Sequence, residues 1–202
     1  MPQAKQPSEF VLVHADESCL GNGQEGANPG GAGSLIEVDT PDGVARRDVY
    51  ISSPDTTNNR MALAGAIATF ALLSRRGNRF RIVYVSDSQY LVKGMNEWVP
   101  VWRERGWTRK GGPIENLELW QRLVEAAAGH SLDWRWVRGH AGNPKNEYSD
   151  YLAMWAATEQ LHSRAAEPSR FEEWLADQRV RGQFTDFDPD EDYAENAATM
   201  GT

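Results

Sequence analysis

The segment at residues 81–86 (RIVYVS) constrains the fold more than any other, because it is almost wholly apolar and follows a predicted helix. A strand that is apolar on both faces belongs in the interior of a sheet. A strand that follows a helix is expected to run parallel to an earlier strand through a right-handed crossover. The segment therefore predicts an α/β protein, in which the first strand, at residues 10–15, is its expected neighbour.

The remaining elements are predicted from turn signals and from the spacing of apolar residues. Strands are predicted at residues 10–15, 31–38, 44–51, 81–86 and 132–137, and helices at residues 59–75, 88–93, 97–105, 114–128 and 144–160. The simplest architecture that accommodates these elements is a mixed five-stranded sheet flanked by helices, with three antiparallel strands followed by parallel ones.

The length of 202 residues and the hydrophobic content of 40% predict one domain with an appendage. We expect an N-terminal arm at residues 1–8, a domain at 9–162 and a C-terminal appendage at 163–202. In the appendage, residues 167–180 predict a short amphipathic helix that could dock on the domain. Residues 186–193 carry so much charge that we expect disorder there. A role of this acidic tail in solubility is favoured over recognition by a protein partner or competition with nucleic acid.

The net charge of −8 at first argues against a nucleic-acid partner, because phosphate binding draws on lysine and arginine. Residues 163–202, with ten acids and four bases, hold most of that negative charge. Residues 93–110, here called the basic segment, have five bases against two acids. The bases are Lys93, Arg103, Arg105, Arg109 and Lys110, and they are interleaved with Trp98, Trp102 and Trp107. A local basic and aromatic surface is therefore predicted.

The chain has no apolar run near the roughly 20 residues of a membrane helix, and its start lacks an apolar signal segment. Its one cysteine, Cys19, cannot form an internal disulfide, which fits a reducing compartment as well as many other places. We expect a cytoplasmic monomer that makes no membrane contact.

Two aspartates, Asp16 and Asp87, stand just past the ends of strands that are expected to be adjacent and parallel. Open α/β sheets bind ligands at such strand ends. Acids forced together repel each other unless a hard divalent cation neutralises them, so the pair predicts a metal site. Asp150 and His140, from a segment able to pack beside these ends, could join it. Such residues also occur without function, as helix caps or as solvated loop residues.

Six short segments, spread in order over about residues 9–160, resemble ribonuclease HI of the bacterial type. They are residues 16–22 (DESCLGN), 56–61 (TTNNRM), 86–90 (SDSQY), 105–107 (RGW), 119–123 (LWQRL) and 137–142 (VRGHAG). The resemblance implies a ribonuclease H-like fold and endonucleolytic cleavage of the RNA strand of an RNA/DNA hybrid. It also implies two Mg²⁺ ions, or Mn²⁺ in their place.

By this resemblance Asp16 would bridge the two ions, and Asp87 and Asp150 would hold one each. His140 would assist protonation or product departure. The residues implied to contact the hybrid in its minor groove are Cys19, Asn22, Thr57, Asn58, Asn59 and Gln89. The basic segment would grip the DNA strand through phosphate contacts. Its tryptophans could stack on sugars or could pack inside a small helical hairpin.

The chain departs from the family at Ala62, where the motif that begins TTNNRM continues with a metal-binding glutamate. The helix around position 62 has no other acid, and Glu17 is expected to point to the opposite face of its strand from Asp16. Glu25, in a longer loop than the best-known relatives have, is the remaining candidate. That longer loop is itself read as a tolerated surface insertion.

With three carboxylates we expect hydrolysis to be lost or strongly impaired while hybrid binding is retained. An engineered substrate-trapping substitution and a natural loss both fit Ala62. The alternative function is a module that binds hybrids without cleaving them. The retention of Asp16, Asp87, Asp150 and His140 favours the enzyme lineage, because a pure binder has no chemical need for them.

Overall fold

A computed structural model describes residues 9–21 and 28–200, and it confirms the predicted mixed α/β sheet flanked by helices. The strands are β1 (Glu9–Cys19), β2 (Gly30–Thr40), β3 (Gly43–Ser53), β4 (Phe80–Ser86), β5 (Ser131–Trp136) and β6 (Glu167–Pro168). The helices are α1 (Asn58–Leu73), α2 (Gln89–Lys93), α3 (Val99–Glu104), α4 (Leu117–Ala127), α5 (Pro144–Glu159), α6 (Phe171–Val180) and α7 (Pro189–Thr199). A 3-10 turn follows α1 at Arg75–Gly77, and a π-helical turn at Gly94–Trp98 joins α2 to α3.

The strand order is β5-β4-β1-β2-β3-β6. Strand β1 pairs antiparallel with β2 and parallel with β4, as the apolar pattern of β4 predicts. Ala15 pairs with Ser86, the last residue of β4, so Asp16 and Asp87 come next at the same edge of the parallel pair. The expectation that Asp16 stands past the end of its strand is wrong, because β1 continues to Cys19 through its pairing with β2. The five predicted strands are present. Strand β6, which pairs with β3, was not predicted because two residues are too short to show a periodic pattern.

Helix α5 packs directly on β1 and β2, and two glycines of β2 make this close approach possible. A Cβ atom added to Gly31 would lie 2.2 Å from the carbonyl oxygen of Ala153, and one added to Gly33 would lie 2.6 Å from that of Ser149. Any side chain at these positions would push α5 away from the sheet. Helices α1 and α4 pack together beside the sheet, with Trp120 and Phe70 wholly buried in their core.

The appendage packs against the domain. Phe171 and Leu175 of α6 are wholly buried in a cluster that includes Tyr148 of α5. The expectation of disorder at residues 186–193 is wrong, because Asp188 caps α7 and Tyr193 is buried beside Phe10. Three acids in the first turn of α7 suit the positive end of its helix dipole.

An ion-pair network, here called the appendage network, joins the appendage to the sheet and to α5. Its members are Glu37, Arg46, Lys145, Glu172, Asp190 and Asp192. The Lys145 Nζ atom lies 2.8 Å from an oxygen of Glu37 and 2.7 Å from one of Asp192. None of the helices in the ranges 9–21 and 28–200 is long and apolar enough to cross a membrane.

Candidate active site

The strand ends bring three acids together into what is here called the acidic cluster, Asp16, Glu17 and Asp87. One carboxylate oxygen from each lies within 4.8 Å of the other two. Asp16 and Glu17 belong to the last residues of β1, and Asp87 directly follows β4. Because the two strands are parallel and adjacent, their ends place these acids at one edge of the sheet.

The expectation that Glu17 lies outside this site is wrong. Its pairing partner on β2, Ala32, faces α1, whereas the partner of Asp16, Gly33, faces α5. The strand alternation therefore holds at the backbone. It does not separate the carboxylates, because at the end of a sheet a side chain as long as glutamate reaches its neighbours from either face.

Ala62 of α1 and Glu17 of β1 lie beside the same small cavity. Ala62 is buried, and it lines the same small cavity as Glu17, together with Gly65 and Leu91. A longer side chain at position 62 would enter the space that Glu17 borders. Position 62 of α1 and position 17 of β1 therefore border the same region of the site.

The surroundings of the acidic cluster disfavour the ionised form of its carboxyl groups. Burial, and then the charges of Asp87 and Glu17, raise the pKa of the Asp16 carboxyl well above its usual range. Burial and the charge of Asp87 raise the pKa of Glu17 to about 8, although a hydrogen bond with the Ser88 side chain lowers it in part. Burial also raises the pKa of Asp87. In the part of the chain that the structure describes, no lysine or arginine forms an ion pair with these acids.

Asp150 and His140 lie close enough to the acidic cluster to affect it electrostatically. Burial raises the pKa of Asp150. The charge of His140 opposes this rise, and the charge of Asp87 adds to it. The charge of His140 also lowers the pKa of Asp87. His140 is exposed, with a φ of 50°, in the loop between β5 and α5. The structure therefore gathers all four predicted catalytic positions around one edge, although Asp150 is outside the group of three within 4.8 Å.

Two residues that support the site were missed by the sequence analysis. Asn146 Nδ2 donates a hydrogen bond of 2.9 Å to Asp16 Oδ2, and the indole of Trp136 donates one of 2.9 Å to the carbonyl oxygen of Asp87. No local signal marks Asn146, because its partner is 130 residues away in the chain. Gly139, in the GHAG loop, lies against Asp87, because a Cβ there would lie 2.1 Å from Asp87 Oδ2 and would displace that carboxylate.

The residues expected at the minor groove lie at the start of α1 and near it. Thr57 caps α1 by accepting a hydrogen bond from the Arg60 amide, so Asn58 and Asn59 form its first turn. Cys19 approaches the same turn, because a Cβ added to Gly30 would contact both its sulfur and Thr56. Gln89 is exposed at the start of α2. The predictions for Asn22 and Glu25, and the 1–8 arm, lie outside the described residues.

The basic segment presents its charges to solvent and packs its tryptophans inward. All five of its bases are exposed, and none forms an ion pair within residues 9–21 and 28–200. Trp102 is buried, and its ring centroid lies 5.8 Å from that of Trp120 and 5.9 Å from that of Trp98. Trp107 is also partly buried against the core. Packing therefore accounts for most of the tryptophan surface, and the bases remain available for a partner.

The fold and the acidic strand ends define a ribonuclease H-like domain, and comparisons with known proteins agree. The family model described as RNase H matches residues 8–158, so the chain belongs to the RNase H family. The chain is 41% identical to the ribonuclease H of Methylococcus capsulatus over 154 residues, which are 76% of this chain and 92% of that protein. It is 45% identical to the ribonuclease H of Halorhodospira halophila over 144 residues, which are 71% of this chain and 89% of the relative.

Among solved structures, LC9-RNase H1 is described as a type 1 RNase H with the type 2 active-site motif. It is 54% identical to this chain, with a TM-score of 0.78, and the match covers 84% of this chain and 82% of that protein. A foamy viral protease-reverse transcriptase in complex with RNA/DNA hybrid shares the fold at 15% identity and a TM-score of 0.60, over 79% of this chain and 21% of that one. Helices α6 and α7 lie beyond the residues that the family model matches.

Proposed function

We propose that this chain hydrolyses the RNA strand of RNA/DNA hybrids, and that Glu17 supplies the carboxylate that Ala62 lacks. The observation that carries the proposal is the acidic cluster, in which oxygens of Asp16, Glu17 and Asp87 lie within 4.8 Å of one another. The expectation of impaired hydrolysis depended on counting three carboxylates. With Glu17 in the cluster and Asp150 beside it, the count returns to four.

The residues present fit divalent metal ions. Carboxylate oxygens are the hard ligands that Mg²⁺ and Mn²⁺ prefer. The pKa values of Asp16 and Glu17 are raised, so a bound cation would stabilise the ionised form that the protein alone disfavours. Asp16, Glu17, Asp87 and Asp150 would hold two such ions. When bound, the ions would supply activation of water and stabilisation of the leaving 3′ oxygen.

The protein's own groups would orient these ligands and move protons. The hydrogen bond from Asn146 fixes one oxygen of Asp16, and the backbone amide of Glu17 donates to the other at 2.7 Å. His140 is exposed beside Asp87 and Asp150. We assign it the protonation of the leaving oxygen or the release of product.

Hybrid recognition would use surfaces on two sides of the acidic cluster. The first turn of α1, with Thr57, Asn58 and Asn59, would contact the minor groove together with Cys19 and Gln89. Contacts there distinguish RNA from DNA by the 2′-hydroxyl and carry little sequence information. The exposed bases of the basic segment would bind phosphates, so we expect hybrid affinity to fall steeply with salt.

The test is the cleavage rate of Glu17→Gln on a labelled RNA/DNA hybrid with Mg²⁺. We expect a fall of about a hundredfold or more, because a lost ligand misplaces the reacting groups, while hybrid affinity stays near that of the parent. Glu118→Gln, which removes an exposed acid from α4, is the matched control and should cleave normally. Equal cleavage by Glu17→Gln and the parent would refute the role of Glu17.

Moving the carboxylate back to α1 sharpens the test. The double variant Glu17→Ala with Ala62→Glu should recover part of the activity that Glu17→Ala loses, because both positions line one cavity. Recovery would show that the two residues are alternatives for one role.

The family's glutamate position is occupied by alanine, which favours a second candidate, a module that binds hybrids without cleaving. Tight binding by the parent chain without cleavage in Mg²⁺ or Mn²⁺ would establish that alternative.

A further inference from the structure

A second cavity, here called the aromatic cavity, lies between α5, the edge strand β3 and the short strand β6. Its volume is about 150 Å³. Its aromatic lining consists of Tyr50, Tyr148, Tyr151 and Trp155, and its acidic lining of Asp48 and Glu167. The remaining lining residues are Leu152, Pro168 and Arg170. It shares no residue with the acidic cluster, so any ligand it binds would be separate from the proposed reaction.

The rings of the aromatic cavity are arranged in two contacting pairs. The ring centroids of Tyr50 and Trp155 are 5.1 Å apart at an interplanar angle of 59°. Those of Tyr148 and Tyr151 are 6.0 Å apart at an interplanar angle of 28°. Aromatic faces attract cations, and tryptophan does so most strongly. The cavity therefore offers several surfaces that favour a positively charged organic group.

The negative charge of Asp48 is only partly satisfied. Asp48 is 4% exposed, and its Oδ2 atom accepts hydrogen bonds from the Tyr148 hydroxyl and from the Arg170 backbone amide at 3.2 Å. Its Oδ1 atom is buried and has no hydrogen-bond partner among the residues described. Burial raises the pKa of Asp48, and the charge of Glu167 adds to that effect.

No basic side chain in the described ranges is paired with these two acids. The Arg170 guanidinium lies 3.3 Å from Glu173, and the Glu167 carboxylate accepts a hydrogen bond of 3.0 Å from the Tyr50 hydroxyl. Arg170 also lines the cavity, but its guanidinium is paired with Glu173, so neither carboxylate has an ion-pair partner among the residues described. A divalent metal ion would find too few oxygen ligands there, whereas an alkylated ammonium ion uses both rings and carboxylates.

We propose that the aromatic cavity binds a small organic ammonium ion, with its alkyl groups against the rings and its charge near Asp48 and Glu167. The experiment is a titration of the full chain with tetramethylammonium chloride, followed through the Trp155 indole N–H resonance. A parallel titration with sodium chloride at matched ionic strength separates an organic cation from any monovalent cation. A saturable shift with tetramethylammonium alone is the expected result.

Two variants test the lining without disturbing the core. Trp155→Leu removes a partly exposed ring, and we expect affinity to fall roughly threefold to thirtyfold, measured by calorimetry. Glu167→Gln removes one charge but keeps an acceptor for Tyr50, and should also weaken binding. Glu159→Gln removes an exposed acid elsewhere on α5 and should bind like the parent.

Three results would overturn the proposal. The first is the absence of a saturable shift in the parent chain. The second is an equal response to sodium chloride, which would indicate general screening. The third is unchanged affinity in both Trp155→Leu and Glu167→Gln when thermal melting shows that both variants are folded.

Discussion

The acidic cluster and the appendage network both bury charge, and they differ in how that charge is balanced. In the appendage network, wholly buried Glu37 faces Lys145 and Arg46, whose charges oppose the effect of burial on its pKa. In the acidic cluster, Asp16, Glu17 and Asp87 face one another with no lysine or arginine paired to them in the described chain.

The difference shows which region is structural and which is suited to chemistry. Buried charges that are paired inside the protein need no bound ion to balance them, and here the pairs attach the appendage to the domain. Buried charges of one sign are unstable until a cation arrives. The two regions meet in the first turn of α5, where Lys145 belongs to the appendage network and Asn146 donates a hydrogen bond to Asp16.

The largest expected effect follows from removing a charge from the acidic cluster. Asp87→Asn should lower hybrid cleavage by about a hundredfold or more, because the site loses an oxygen ligand. The same variant should melt at a higher temperature than the parent in the absence of divalent ions, because repulsion is relieved. Lower stability of metal-free Asp87→Asn would show that the acidic cluster is not under electrostatic stress.

A substitution in the appendage network should have the opposite effect on stability. Lys145→Met leaves Glu37 buried with less compensation, and we expect the free energy of unfolding to fall by about 3 to 5 kcal/mol in urea denaturation. Adding Glu37→Gln to that variant should recover part of the loss. If the double variant is less stable than Lys145→Met alone, the pairing of these two charges does not explain the stability of the network.

The pH dependence of the metal-free protein separates the two regions further. Glu17 has a pKa of about 8 in the folded protein against 4.5 for an ordinary glutamate, so the folded state retains a proton that the unfolded chain releases. Its contribution to stability is complete below pH 4.5 and is lost as pH rises toward 8. We expect the free energy of unfolding of the parent to fall more over this range than that of Glu17→Gln. Saturating Mg²⁺ or Mn²⁺ should remove the difference, and an equal slope without metal would contradict the account.

The smallest expected effect is that of Asp192→Asn, which weakens the contact of α7 with Lys145. Asp192 is partly exposed and Lys145 keeps Glu37, so we expect a loss of about 1 kcal/mol. Cleavage should fall less than tenfold, through a small displacement of Asn146 beside Asp16. A loss of cleavage as large as that of Asp87→Asn would mean that the appendage controls the acidic cluster far more strongly than these contacts indicate.

The sequence predicts the features that depend on local pattern. The apolar run of β4 predicts its interior position and its parallel pairing with β1, and the register then brings Asp16 and Asp87 to one edge. The same reasoning fails for Glu17, because alternation along a strand gives the direction of the Cβ atom and not the reach of the side chain beyond the sheet.

The appendage shows a second limit of local reasoning. Its acidic run resembles a disordered tail when it is judged alone, yet in the structure its acids meet partners that are distant in sequence. Arg46 and Asp190 are 144 positions apart, and Tyr193 donates a hydrogen bond to Phe10 across 183 positions. Composition describes the charge of a segment, whereas its folding depends on which opposite charges the rest of the chain brings to it.

The most direct test of the central claim is a crystal structure of the full chain grown with Mn²⁺, with the ion located from its anomalous scattering. The account predicts an ion bound by Asp16 and Asp87 with a carboxylate oxygen of Glu17 also in contact with it. An ion held by the two aspartates while Glu17 points away, or no ion at this edge of the sheet, would contradict it.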